Sequence, residues 1–391
     1  MARKTVIVLP GGMGSEIREA SDPANKLIWV NLDALKKGDV RKMEVDIQVP
    51  VNPAGAGVAC VAGSPLHDYY DEPLAQLQLQ LSKEGWDVNG FGYDWRMSNF
   101  TEAQKVVDRI KANHIDEGPV VIVGHSQGGL VARAVWALMN ATPSTNPIKR
   151  IICVGTPNGG LFNPLVMWGG SNLTRTLICT LSTVYAFMSH RFLSANTPKE
   201  IVNVSAGWRS LYEMMPWRTS PNSDQNANLA GLYDPGIYIR GNKLDRDLMR
   251  IAKDTWHPLF DSEAYIPPGG KLVCIAGRGR PTIESVGAYL KNDVDTVLLH
   301  MEDGDDSVTP TSAWMATSNN YSVDSNHVNL LATCINENMI HAMVSEVDSD
   351  TVTAIPDFIK VESQDRYSYK PPPGMPYIPG IKPLRQKRPR K

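Results

Sequence analysis

The chain has 391 residues, with 39 Lys and Arg against 41 Asp and Glu, for a formal net charge of −2. Its 42% hydrophobic and 20% charged residues describe a chain that buries a sizeable core, which excludes a disordered protein and a strongly basic nucleic-acid binder. No apolar run approaches the ~20 residues that a membrane-spanning helix requires.

At the N-terminus, Met1-Ala2-Arg3-Lys4 leads straight into the apolar run Thr5–Leu9. That run is too short for the core of a signal peptide and reads as a first strand, so the expected address is cytoplasmic. The loop after it, Pro10-Gly11-Gly12-Met13-Gly14-Ser15, is rich in glycine, which allows close backbone approach to a ligand. It lacks the Lys and Ser/Thr of a phosphate-binding loop and does not meet the G-x-G-x-x-G spacing. Helices are predicted over Glu72–Glu84, with Leu74, Leu77 and Leu81 on one face, and over Asn99–Asn113, with Val106, Val107 and Ile110.

The strand Val120–Val123 runs into Gly124-His125-Ser126-Gln127-Gly128 and then an apolar helix, Leu130–Met139. This is G-x-S-x-G between a strand and a helix, a turn sharp enough to strain the serine and to demand both glycines. It would present Ser126 above the sheet at a helix N-terminus, where backbone N–H groups favour a developing negative charge. Further parallel strands are predicted at Ile151–Val154, Leu272–Ile275 and Val294–Leu299, near-continuous in apolar character as strands covered on both faces are. Strand and helix in alternation give an α/β fold. More than a hundred residues separate Thr156 from Lys271 without a clear βαβ unit, so a cap or lid is expected there. Within it Leu177, Ile178, Leu181, Val184, Tyr185 and Met188 fall at helical spacing, facing either the core or a lipid-like substrate, and Ser220–Asn228 is polar.

A serine nucleophile needs a base, and the base an orienting acid, which follow in the order Ser, Asp/Glu, His in this architecture. His300 lies inside a strand pattern ahead of the acids, and His341 lies mid-helix as a packing residue, whereas His327 sits on a loop before the apolar helix starting at Val328. That makes His327 the base. Asp303, Asp305 and Asp306 all follow a strand; Asp305, just after the turn glycine Gly304, is the preferred acid. The oxyanion donors are expected at the Gln127 amide and at Gly12, with Met13 next. Cys60, Cys153, Cys179, Cys274 and Cys334 form no C-x-x-C pair and sit among apolar neighbours, as buried free thiols do. No metal or organic cofactor is called for.

From Tyr369 onward the chain has seven Pro, seven Lys or Arg and no acid, which predicts a disordered basic tail over 369–391. The expected division is therefore a first core part, 1–157, a cap, 158–270, a second core part, 271–350, and the tail. The cap or the tail could touch a membrane surface, and no nucleic-acid partner is expected.

Several separate pieces give the chain a resemblance to the lecithin:cholesterol acyltransferase-like family of α/β-hydrolases. Pro10–Ser15 resembles the family's oxyanion loop, and Leu27–Leu32 the tryptophan-bearing segment after it. Gly92-Tyr93-Asp94-Trp95-Arg96 is similar to its Tyr-Asp-Trp-Arg signature, and Gly155-Thr156-Pro157-Asn158-Gly159-Gly160 to its strand-end motif. Gly277–Thr282, Glu302–Val308 and His327-Val328-Asn329-Leu330 recur with family spacing. The resemblance implies an α/β-hydrolase fold with an inserted cap, and the triad Ser126, Asp305 and His327, with Trp95 and Met13 near the substrate. It implies a serine esterase or lipase acting on a lipid-like carboxylic ester through an acyl-enzyme. The alternatives are an O-acyltransferase that passes the acyl group to an alcohol and, more remotely, a non-catalytic binding module.

Overall fold

Among the described residues the strands are β1 (Lys4–Leu9), β2 (Ser15–Glu19), β3 (Leu27–Trp29), β4 (Ala54–Gly55), β5 (Val58–Pro65), β6 (Trp86–Gly90), β7 (Val120–His125), β8 (Ile148–Val154), β9 (Leu272–Arg278), β10 (Arg280–Lys291), β11 (Val294–Gly304) and β12 (Asn319–Asp324). They come from a computed structural model that describes residues 3–347 except 21, 23, 25, 30, 32–41, 46–53, 56–57, 142–145, 169–197, 218–232, 234–242, 292–293 and 317. The predicted helix over 177–188, the polar stretch Ser220–Asn228, Cys179 and the tail 369–391 lie outside the described residues.

Strands β6, β1, β7, β8, β9 and β12 lie side by side in that order, every neighbour parallel. The apolar runs of β1, β7, β8 and β9 do not alternate with polar residues because both faces are covered, whereas the edge strands β6 and β12 do alternate. Ile7, Leu9, Ile122, Ile151 and Leu272 enter one core with the helices Asn99–Ala112 and Gln127–Asn140. Val6, Val8, Val121, Val123, Ile152 and Val273 enter another with the helices His67–Leu81, Leu330–Asn336 and Met339–Ser345. Period-2 alternation along each strand thus sorts one apolar run into two cores.

Two smaller sheets flank this one. β3, β2, β5 and β4 form an antiparallel sheet, and β10 pairs with β11. The second pairing corrects the sequence reading of Val294–Leu299. That segment is a strand, but it lies antiparallel to β10, paired from Arg280 opposite Gly304 to Lys291 opposite Val294 with one register shift between Ile283 and Ser285, and outside the central sheet. Apolar content identifies a strand and not its partner. The strand beside β9 at the sheet edge is β12, whose polar ends Asn319 and Asp324 disguise it. Between β8 and β9 the described residues form helices, among them Asn163–Trp168, Pro198–Ser205, Arg209–Glu213 and Arg246–Ile251. The four described cysteines are buried and take part in no disulfide among the described residues.

Candidate active site

β7 ends at His125 and the next helix begins at Gln127, so Ser126 alone makes the turn, at φ 53° and ψ −125°. A non-glycine residue there carries about 1–3 kcal/mol of strain and persists only where its surroundings fix it. Here they do. The Ser126 amide donates to the Val154 carbonyl at 2.8 Å and its carbonyl accepts from the Gly129 amide at 3.0 Å. A Cβ on Gly124 would overlap the Gly129 backbone, and one on Gly128 the Leu9 carbonyl, so both motif glycines are required by backbone contact.

The loop after β12 carries His327 to this turn. Its Nε2 lies 2.8 Å from Ser126 Oγ and its Nδ1 2.7 Å from Asp305 Oδ2. A carboxylate can only accept, so Nδ1 holds the proton and Nε2 is left to accept from the serine hydroxyl. Asp305 is fully buried, and its other oxygen accepts from the Ser307 amide at 3.0 Å and the Val308 amide at 2.7 Å. Burial works to lower the pKa of His327, but the charge and hydrogen bond of Asp305, joined by Asp306, outweigh it and hold it above its ordinary value.

The three acids left open by the sequence are separated by their partners. Asp303 accepts from Arg278 Nε at 2.9 Å and from the Gly279 amide at 2.7 Å. Asp306 stands at φ 79° with its amide donating to Thr282 Oγ1 at 2.8 Å. Burial pushes its carboxyl up to about 7, against the pull of His327 and with the help of Asp305. Of the three, Asp305 is the one hydrogen-bonded to the His327 ring.

The loop from β1 to β2 closes a tight turn, with the Gly14 amide donating to the Gly11 carbonyl at 3.0 Å and Met13 at φ 65°. Gly12 and Met13 therefore sit at the tip, and their amides have no acceptor among the described residues. Gln127 lies across from them. Its side-chain Nε2 donates to the Trp95 carbonyl at 3.1 Å and to Asn99 Oδ1 at 3.0 Å, which fixes the amide so that Oε1 faces Gly12. Gly12, Met13, Trp95, Ser126, Gln127 and His327 line one cavity of about 130 Å³. Trp29, Leu66, Leu211 and Met214 extend its apolar wall, the last two from the segment between β8 and β9. Trp95 is buried edge-on between Trp29 and Trp208, at ring separations of 5.4 and 5.2 Å.

Tyr93-Asp94-Trp95-Arg96 holds this wall in place. Arg96 Nε and Nη2 grip Asp94 at 2.9 and 2.7 Å, with both side chains buried, and Tyr93 Oη donates to the Pro10 carbonyl at 2.8 Å. Sequence reasoning missed two residues in contact with the site. His125 was passed over as the variable position of G-x-S-x-G, and Tyr70 lies in a helix whose pattern signals only packing. His341, expected to pack, bonds Glu84 at 2.8 Å on the far helix layer.

Comparison with known proteins agrees with this architecture. Residues 66–331 match the alpha/beta hydrolase family. Lysosomal phospholipase A and acyltransferase from Bos taurus is 24% identical over 373 residues, covering 80% of this chain and 82% of that protein. The Rattus norvegicus protein of the same name is 26% identical over 250 residues, 59% of this chain and 54% of its own. Among solved structures, the Tle4–Tli4 complex contains a chain that superposes with a TM-score of 0.55 at 14% identity, covering 90% of this chain and 100% of that one. The two lysosomal relatives bear out the resemblance to the lecithin:cholesterol acyltransferase-like group. Sheet order, family match and relatives lead to one conclusion: the chain belongs to the α/β-hydrolase family.

Proposed function

We propose that the protein hydrolyses a lipid-like carboxylic ester, with Ser126 as nucleophile, His327 as base and Asp305 as the acid that orients it. The observation that carries the reading is the unbroken hydrogen-bond chain from Asp305 through His327 to Ser126, opening into an apolar cavity. His327 Nε2 takes the Ser126 hydroxyl proton as Oγ attacks the ester carbonyl, and the carbonyl π electrons move onto its oxygen. The amides of Gln127 and Gly12 receive that oxyanion. Collapse breaks the C–O bond to the alcohol, which leaves with the proton from His327. Water then repeats the sequence on the acyl-serine and releases the acid. Asp305 stabilises the imidazolium formed at each stage, and no metal or cofactor enters these steps.

The apolar wall supports an acyl chain rather than a polar group beside the serine. Residues 158–270, read as a cap, contribute Leu211 and Met214 to that wall. A second reading, transfer of the acyl group to an alcohol, is favoured by the names of the two lysosomal relatives. The test is incubation with phospholipid, diacylglycerol and short-chain esters, with and without a long-chain alcohol, followed by mass spectrometry. Free acid alone in every mixture supports the hydrolase, whereas an ester of the added alcohol supports the transferase. No acyl release from any ester would overturn both.

A further inference from the structure

The side chain of His125 is buried directly beneath the site, and its hydrogen bonds can be assigned without ambiguity. Its Nε2 lies 2.9 Å from the His327 carbonyl oxygen, its Nδ1 2.8 Å from Tyr70 Oη, and Tyr70 Oη 2.8 Å from the Gly11 amide. A carbonyl only accepts, so the His125 proton is on Nε2. Nδ1 is then a lone pair, which takes the Tyr70 hydroxyl proton, and the Tyr70 oxygen accepts from Gly11 N–H. Burial, with the charge of His327 adding to it, lowers the pKa of His125 to about 3, so this neutral ring is kept throughout the working range.

The chain of bonds joins two pieces of the site that no strand connects. One end is the His327 backbone, whose N–H already donates to the Asp305 carbonyl at 2.7 Å. His125 holds the other side of the same residue. The far end is Gly11, first residue of the turn that carries Gly12 and Met13. We propose that Tyr70 and His125 are positioning residues, which fix the separation of the base from the oxyanion loop so that both meet one ester carbonyl. The proposal rests on the reading of Ser126 and His327 given above. An error of about 1 Å in such a separation costs up to about a hundredfold in rate, so bonds that hold it are expected to act on turnover more than on binding.

The test separates the two nitrogens of His125. His125→Gln returns an amide N–H near the place of Nε2 and keeps a donor to the His327 carbonyl. His125→Asn returns an acceptor near Nδ1, serving Tyr70, and leaves that carbonyl unpaired. Tyr70→Phe cuts the relay in its middle. For each variant the measurements are kcat and KM with a short p-nitrophenyl ester, the melting temperature and the rate of fluorophosphonate labelling at Ser126. The expected result is a loss in kcat of about tenfold or more for His125→Asn and Tyr70→Phe, with KM within about twofold. His125→Gln, which leaves Tyr70 without its acceptor, cuts the relay at its other bond and should lose kcat to a similar degree at an equal melting temperature. Wild-type kcat in the Gln, Asn or Phe variant, or losses that simply follow melting temperature, would overturn the relay while wild-type labelling stands. A wild type that does not label at Ser126 would instead overturn the reading of the site beneath it.

Discussion

Replacing Asp305 by Asn keeps the shape of the acid and reverses what it presents to His327. The Ser307 and Val308 amides can only donate, so they hold the one remaining side-chain oxygen on their side, at the 3.0 and 2.7 Å now made by Oδ1. The new NH₂ must then face His327 Nδ1, where a proton already sits 2.7 Å from Oδ2. Two donors cannot share that space, so the ring moves its proton to Nε2 and can no longer accept from Ser126. A base in the wrong tautomer costs about 10⁴-fold in kcat, or about 5.5 kcal/mol at 1.36 kcal/mol per decade. The assay is initial-rate hydrolysis of a short p-nitrophenyl ester beside a melting curve. Asp303→Asn is the control: it weakens the pair with Arg278 and should leave kcat within about threefold, because Asp303 does not touch His327. Activity within tenfold of wild type for Asp305→Asn, or an equal loss for Asp303→Asn, would show that Asp305 does not set the tautomer of a catalytic His327.

Gly12→Ala would place a Cβ 2.8 Å from Gln127 Oε1, whose amide is tethered to Trp95 and Asn99. The turn should shift instead, lowering kcat by about tenfold with little change in melting temperature, as initial rates would show. His327 must be neutral to act, and its raised pKa places the acid limb of kcat/KM above the ordinary 6.5, with activity lost as pH falls through it. Asp306→Asn removes a carboxyl that, to the extent it is ionised, raises it, so the limb should move to lower pH in a pH–rate profile. Glu213, fully buried, caps the Asn99 amide at 2.7 Å, and burial pushes its carboxyl from 4.5 up to about 8. The folded state therefore holds a proton that the unfolded chain releases, so wild-type stability falls as pH rises between those values. Glu213→Gln lacks that slope, and its melting temperature should gain on wild type from pH 4.5 to about 8 and stay level above it.

What the sequence made legible was the part fixed by local rules. The elbow around Ser126 is dictated within five residues, because Gly124 and Gly128 each face backbone that no side chain could clear. β1, β7, β8 and β9 each carry a run of at least four consecutive apolar residues because both sheet faces are covered, and a short window suffices to see that. Asp305 needed more than local information, since the three neighbouring acids differ only in what long-range contacts bring to them: Arg278 to Asp303 and His327 to Asp305. Val294–Leu299 reads as a strand from its own residues, but its antiparallel pairing with β10 is decided by the partner, not by the strand. β12 was obscured by its polar ends. Tyr70 and His125 carry no sequence signal for their joint role, as they lie 55 residues apart and meet only where the helix His67–Leu81 brings Tyr70 to the end of β7.

The central claim is that Ser126 carries the acyl group during turnover. Its most direct test is intact-protein and peptide mass spectrometry after rapid acid quenching of the enzyme with a p-nitrophenyl acyl ester. The expected result is an added acyl mass on the peptide containing Ser126, increased when deacylation is slowed and missing from Ser126→Ala, which should also lose turnover. Full turnover by Ser126→Ala, or an acyl group carried on another residue, would contradict it.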